Sequence, residues 1–237
     1  MERALPPSRL IKLVDHERFA ELRRNVTFID PSSVYLPDDT AATIGIGDDS
    51  IIYPNVHFHG YIRIGESCII GSNSTLINVM MKKNCIVEYS KVSDTMIGDS
   101  VSIGPFTCIE QSHIADECAI GFTAQVKRSR IGKKTFAGHH CYIGDADVGN
   151  NVNIAAGAIT GNYGGTGKNK TVIQDRAFIG INANLIAPVT IGEESYIGAG
   201  AIIKKDVAPH AVVVGLDRVL KNKRSYRVET GWELREE

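Results

Sequence analysis

A chain of 237 residues, 43% of them apolar, is long enough to bury a sizeable core. Twenty-six basic against twenty-seven acidic side chains leave a formal charge of -1, so overall charge draws it to neither nucleic acid nor an anionic membrane. No run approaches the roughly 20 apolar residues that a membrane helix needs, and five cysteines without framework spacing suit a reducing compartment better than a disulfide scaffold.

The opening MERALPPSRLIKLVDHERF meets charge again at Asp15 before an apolar signal stretch can form, which gives the expectation of a cytoplasmic protein. Within an N-terminal lead-in over 1–40, Phe19 and Leu22 share one face among charges. That pattern predicts a short helix from Asp15 to Arg24, capped by Asp15.

From 41 to 214 a six-residue unit takes over: an aliphatic residue, often a glycine next, and a small residue four places after the aliphatic one. It runs through Ile46, Ile52, Phe58, Ile64, Ile70 and Leu76. It continues through Val92, Ile97, Ile103, Ile109, Ile114, Ile120, Val126, Ile131, Ala137, Ile143, Val148 and Ile154, where the steps read five, six, six. After an interruption it returns without a break as Ile173, Ile179, Leu185, Ile191, Ile197 and Ile203. A unit repeating in threes describes one turn of a three-sided coil, and stacked turns bury one continuous aliphatic column. The fold class is therefore all-β, a parallel β-helix of hexapeptide repeats. The glycines in IGES, IGDS, IGKK and IGEE suit positive φ or close backbone passage at corners. Cys68, Cys85, Cys118 and Cys141 fall in the small slot as compact buried thiols, with Cys108 beside it.

The period fails between Ile154 and Ile173, where AITGNYGGTGKNKT carries four glycines and two lysines, a loop over 160–171. Stacked coils have no packing reason to extrude such a loop, so function is expected there. One coil earlier stands Gly138-His139-His140-Cys141-Tyr142. Imidazole, with an ordinary pKa near about 6.5, can accept the proton that an amine or hydroxyl loses as it attacks a thioester. Lysines in a cleft can pair with phosphate, and backbone N–H groups of a glycine-rich loop can approach a ligand closely. From 215 to 237 a charged tail loses the period, and is expected to pack back or to reach a neighbouring subunit.

The stretch AGHHCYIGDADVGNNVNIAAGAITGNYGGTGKNKTVI resembles the acetyltransferase domain of the bifunctional glucosamine-1-phosphate acetyltransferase and N-acetylglucosamine-1-phosphate uridyltransferase family. The resemblance begins near NVTFIDPSSVYL, includes IIYPNVHF and SIGPF, and continues through NLIAPVTIG and IGAGAIIKKDV to about Val214. It implies a left-handed coil, against the right-handed rule for ordinary crossovers, assembled as a homotrimer whose inter-subunit clefts bring acetyl-CoA to a small sugar-derived acceptor. It also implies His139 as catalytic base, and Lys127, Tyr142, Asn153, Asn162 and Tyr163 as acceptor-site residues. Lys168 matches a lysine of the mobile loop, and Ala199 falls in the stretch along the CoA arm. The resemblance does not extend to a nucleotidyl-transfer domain, so a separate nucleotidyltransferase is a possible partner.

This sequence departs from the family at three places. Soon after IGPF the family carries a phosphate-holding arginine, and here Glu110 occupies that neighbourhood and no arginine does; Ile181 replaces a serine, and Leu216 an arginine. Arg128 or Arg130 could supply the lost charge on the acceptor side, and Lys204, Lys205 and Arg218 on the CoA side. Lys204 and Arg218 are taken as cofactor contacts on that ground. The acceptor stays open, and so does a non-catalytic reading in which the coil partners a nucleotidyltransferase. A zinc hydrolase on the same scaffold would need three converging histidines. His139 and His140 are expected to face opposite sides of a strand, while His57, His59 and His113 lie on other coils, so no metal site is assigned.

Overall fold

The computed structural model describes residues 25–36 and 43–215 with their side chains, and the backbone of the strands Arg218–Val228 and Gly231–Glu236. The helix predicted over Asp15–Arg24 lies outside the described residues. The described chain winds as a left-handed parallel β-helix of about ten turns. Among the described residues no helix is long and apolar enough to cross a membrane.

Each turn lays one short strand on each of three faces. The first face runs from Thr27–Phe28 through Ser102–Ile103, Ala119–Phe122, Phe136–His139, Asn153–Ile154 and Phe178–Ile179 to Ala211–Val214. The second carries Cys108–Glu110, Gln125–Lys127, Tyr142–Gly144, Ile159–Gly161, Asn184–Ile186 and Ile202–Ile203, and the third His113–Ile114, Arg130–Ile131, Ala146–Val148, Thr171–Ile173 and Val189–Ile191. In the early coils single strands, such as His57–Ile64, cross the corner between second and third faces. Ladder partners keep the register that the sequence period demands: Ile109 pairs with Val126, Val126 with Ile143, and Ile114 with Ile131.

Alternation along each strand turns the repeat's aliphatic residue inward. Ile52, Phe58, Ile70, Leu76, Ile109, Ile114, Ile120, Val126, Ile143, Ile173, Ile179, Ile191 and Ile203 are all buried in one contiguous core. Full burial of one such side chain contributes roughly 1.5–3 kcal/mol, and the column repeats it on every face of every turn.

The five-residue step has a geometric cause. It always spans the corner between the second and third faces, and at that corner one residue turns the chain alone in left-handed backbone. Asp94 (φ 49°), Gln111 (φ 50°), Arg128 (φ 49°) and Asp145 (φ 49°) form this column. The glycine that follows the aliphatic residue does something else: Gly65 is not in the left-handed region, but a Cβ there would stand 2.6 Å from the carbonyl carbon of Lys82. Of the two roles open to such glycines, close backbone passage is the one Gly65 serves, and positive φ falls to Ser67 two residues on.

The small-slot cysteines are buried and free of disulfides. Their thiols also donate to corner carbonyls: Cys68 to Lys82 at 3.1 Å, Cys85 to Gly98 at 3.0 Å and Cys118 to Gly132 at 3.0 Å. Ser50 and Thr135 use hydroxyls in the same column for the same bond. The same column also takes Val101, Val152 and Ala177, all buried, so the slot selects small or β-branched residues and the donor is an addition that some coils make. Burial pushes the Cys118 and Cys141 thiols up to about 11.

At the C-terminal end the tail folds back as antiparallel strands: Val213 pairs with Val219, and Arg218–Val228 pairs with Gly231–Glu236. The first face is thereby extended beyond the last coil.

Candidate active site

Two corners frame the second face, and almost every candidate residue sits on one of them or between them. The corner between first and second faces carries His139, exposed at the end of Phe136–His139. Its ring meets that of Phe136 edge-on at 6.3 Å between centroids. Phe136 can lie over the backbone there because residue 138 is glycine; a Cβ at Gly138 would run into the Phe136 ring. His140 occupies left-handed backbone at φ 43°, and its Nδ1 lies 3.1 Å from the Thr123 hydroxyl. Both histidines are exposed. The expectation that they face opposite sides is thus corrected, because the chain turns its corner at His140 and strand alternation stops applying.

Backbone bonds climb the same corner: Gly157 N–H donates to His140, Asn182 to Ala156, and Gly200 to Ile181. His139, Ala156, Ile181 and Ala199 are therefore successive members of one column. Ile181 is 53% exposed, so with Ala199 it offers an apolar edge where the sequence comparison expected a serine. Asn153 begins the first-face strand of the next coil, paired with Phe136 and Phe178.

The opposite corner, between second and third faces, holds the loop. Its root is a polar network built on the left-handed column. Both Asp145 carboxylate oxygens accept from Arg128, Nε to Oδ1 at 2.6 Å and Nη2 to Oδ2 at 2.7 Å. Asn162, nearly buried, donates through Nδ2 to the same carboxylate and to the Tyr142 hydroxyl at 3.2 Å. The Arg128 guanidinium first, and Asn162 after it, hold the Asp145 carboxyl below the usual carboxylate range. Tyr142 reaches this corner from the start of its strand because Gly144 leaves its ring room. Beyond the root, Asn169 N–H donates to the Asn162 carbonyl at 2.7 Å, the Tyr163 hydroxyl donates to the Gly165 carbonyl at 2.7 Å, and Lys168 bridges back to Tyr163. Lys170 is ion-paired with Asp147.

Lys127 ends its second-face strand beside Glu110 on the neighbouring strand, and the two form an ion pair. Each shifts the other in the sense a real pair requires: Lys127 pulls the Glu110 carboxyl down, and Glu110 raises the Lys127 ammonium. Lys204 lies exposed at the loop-bearing corner of the last coil. Arg218 opens the tail strand, with its backbone paired to Val214, and its side chain lies outside the described residues, as does Leu216.

The structure thus gathers Lys127, Tyr142, Asn162, Tyr163 and Lys168 at one corner, His139 and Ala199 at the other, with Lys204 above the loop. Within one chain the loop and His139 are separated by the width of the second face, on the order of 15 Å for a five-residue span. Sequence reasoning missed Asp145 as the loop's anchor. The signal was present in the five-residue step, which puts Arg128 and Asp145 one coil apart at one corner. Among the described residues no three His, Cys, Asp or Glu side chains gather as a metal site.

A family model described as bacterial transferase hexapeptide (six repeats) matches residues 43–78 and 170–205. Another, described as GlmU-like, C-terminal hexapeptide, matches residues 70–160. The "Bifunctional protein GlmU" of Geobacillus sp. (strain WCH70) is 44% identical over 206 residues, covering 86% of this chain and 44% of that protein. The protein of the same name from Halalkalibacterium halodurans is 44% identical over 208 residues, 87% of this chain and 45% of that one. The one from Thermotoga maritima is 40% identical over 215 residues, 90% and 46%. The chain spans less than half the length of these relatives. Among solved structures, Neisseria gonorrhoeae serine acetyltransferase superposes on 44% of this chain and 41% of its own, at 28% identity and a TM-score of 0.37, too loosely to bear on function.

Proposed function

Since the chain belongs to the hexapeptide-repeat transferase family and matches its GlmU-like C-terminal model, we propose that it is an acetyl-CoA-dependent acetyltransferase acting in the cytoplasm on a small sugar-derived acceptor. The observation that carries this reading is the second face itself: an exposed imidazole on one rim, an anchored glycine-rich loop on the other, and the partly exposed Lys127 and Tyr142 between them.

His139 acts as the general base. As the acceptor amine attacks the thioester carbonyl, a C–N bond forms, the C–S bond breaks, and the amine proton passes to the imidazole and on to the departing thiolate. Lys127, Tyr142, Asn153, Asn162 and Tyr163 orient the acceptor. Lys168, Lys204 and Arg218 provide charge for the CoA phosphates, and Ile181 with Ala199 gives its arm an apolar edge. The same-chain loop stands a face-width from His139, which favours a cleft completed by a second chain of a homotrimer.

The test is CoA release from acetyl-CoA with a panel of amino sugars, sugar phosphates and sugar nucleotides. Loss of the base should slow His139→Ala by about 10²- to 10⁴-fold with the fold intact. A loss under about tenfold contradicts the assigned base. If no acceptor elicits CoA release and calorimetry finds no CoA binding, the chain is instead a non-catalytic partner of a nucleotidyltransferase, a reading that the neutralised Lys127 would suit.

A further inference from the structure

We infer that Glu110 and Lys127 form a hydroxyl-binding pair that selects an acceptor sugar without phosphate at the end that reaches them. This rests on the acyltransferase reading above and deepens it by naming the substrate class.

The two residues are partners in register on adjacent second-face strands, at the end nearest the loop. Lys127 is already in contact with a carboxylate. Arg128, the next residue, is engaged by both oxygens of Asp145, and Lys170 by Asp147. At this end of the face each of these cations is matched by an acid one strand away. A phosphate dianion arriving here would displace a carboxylate from contact and then sit beside it, and like charges so placed are strongly disfavoured. Lys91 and Lys168 have no ion pair among the described residues. The first stands at the far end of its strand and the second on the loop.

A hydroxyl meets no such conflict. Glu110, 24% exposed and ionised, can accept its proton, while Lys127, 35% exposed, donates to its oxygen. The pair is fixed enough to discriminate and open enough to be reached. The next position in this column is Gly144, over which the Tyr142 hydroxyl and the Asn162 amide pack, so two neutral polar groups rather than a further charge border the pair.

The experiment compares glucosamine with glucosamine 1-phosphate on the full chain and on Glu110→Gln, reading both kcat/KM for CoA release and the Kd of each sugar by calorimetry. The wild type should favour the unphosphorylated sugar by at least about tenfold, and Glu110→Gln should move that ratio toward the phosphorylated one by a similar factor. A circular dichroism melt confirms that the variant is folded. Preference for the phosphorylated sugar in the wild type overturns the proposal, as does an unchanged ratio in Glu110→Gln, or failure to bind either sugar. Selective binding of the unphosphorylated sugar without turnover supports the pair's role while contradicting the acyltransferase reading, so the two failures read differently.

Discussion

Asp145 shows how one residue can couple the scaffold to the loop. It turns the chain at a corner, holds Arg128 from the coil before, and grips Asn162 at the loop's root in the coil after. Because Arg128 and Asn162 hold its carboxyl below the ordinary range, the anchor is complete above the unfolded value of about 3.9 and weakens as pH falls through the lower folded value. Asp145→Asn should therefore cost about 1–2 kcal/mol near neutral pH. It should also speed amide exchange at Asn169, whose N–H bonds to Asn162, and the wild type should approach that faster exchange only below about pH 4. Equal Asn169 protection in both proteins at pH 7 would show that the loop is held by something else. His139 stands out in the sequence because its motif lies beside the long interruption in the period, and the structure places it exposed at a corner of the coil. Asp145 and Arg128 were not joined in the sequence, because their contact depends on which corner each five-residue step turns.

At the scale of strands and corners, the repeat was readable almost to the residue. Each aliphatic residue of the repeat from Val92 to Ile154 is buried, since a period of five and six residues leaves only one inward register. The role of the glycines was readable only as two possibilities, and the structure separates them. A methyl at Gly65 would meet the backbone of Lys82 and Lys83, at 2.6 and 2.7 Å, which cannot yield as a side chain could. Gly65→Ala should lower stability in a denaturant melt by about 1–3 kcal/mol, whereas Gly167→Ala, with nothing within 4 Å, should stay within about 0.5 kcal/mol. Comparable stability for the two variants would contradict close passage as the reason for Gly65. The C-terminal hairpin was not foreseen: DRVLKNKRSYRVETGWELREE carries too few apolar residues at alternate places to announce paired strands.

For the molecule as a whole, the second face is a floor between two rims that carry different halves of the proposed chemistry. One rim carries His139 and the other the loop, and a single chain keeps them a face-width apart. Closed cyclic assembly would bring the rim of one chain against the loop of the next. The period alone could not have indicated such an assembly, because a repeat specifies how coils stack and not how solenoids meet.

Mixing His139→Ala chains with chains lacking residues 163–168, after unfolding and refolding together, tests that assembly most directly. Each variant alone should be inactive. A random mixture should regain about a quarter of wild-type CoA release, because that fraction of clefts pairs an intact imidazole with an intact loop. Recovery near that level is the predicted result; a folded, mixed assembly that stays as inactive as its parents would contradict a site shared between chains.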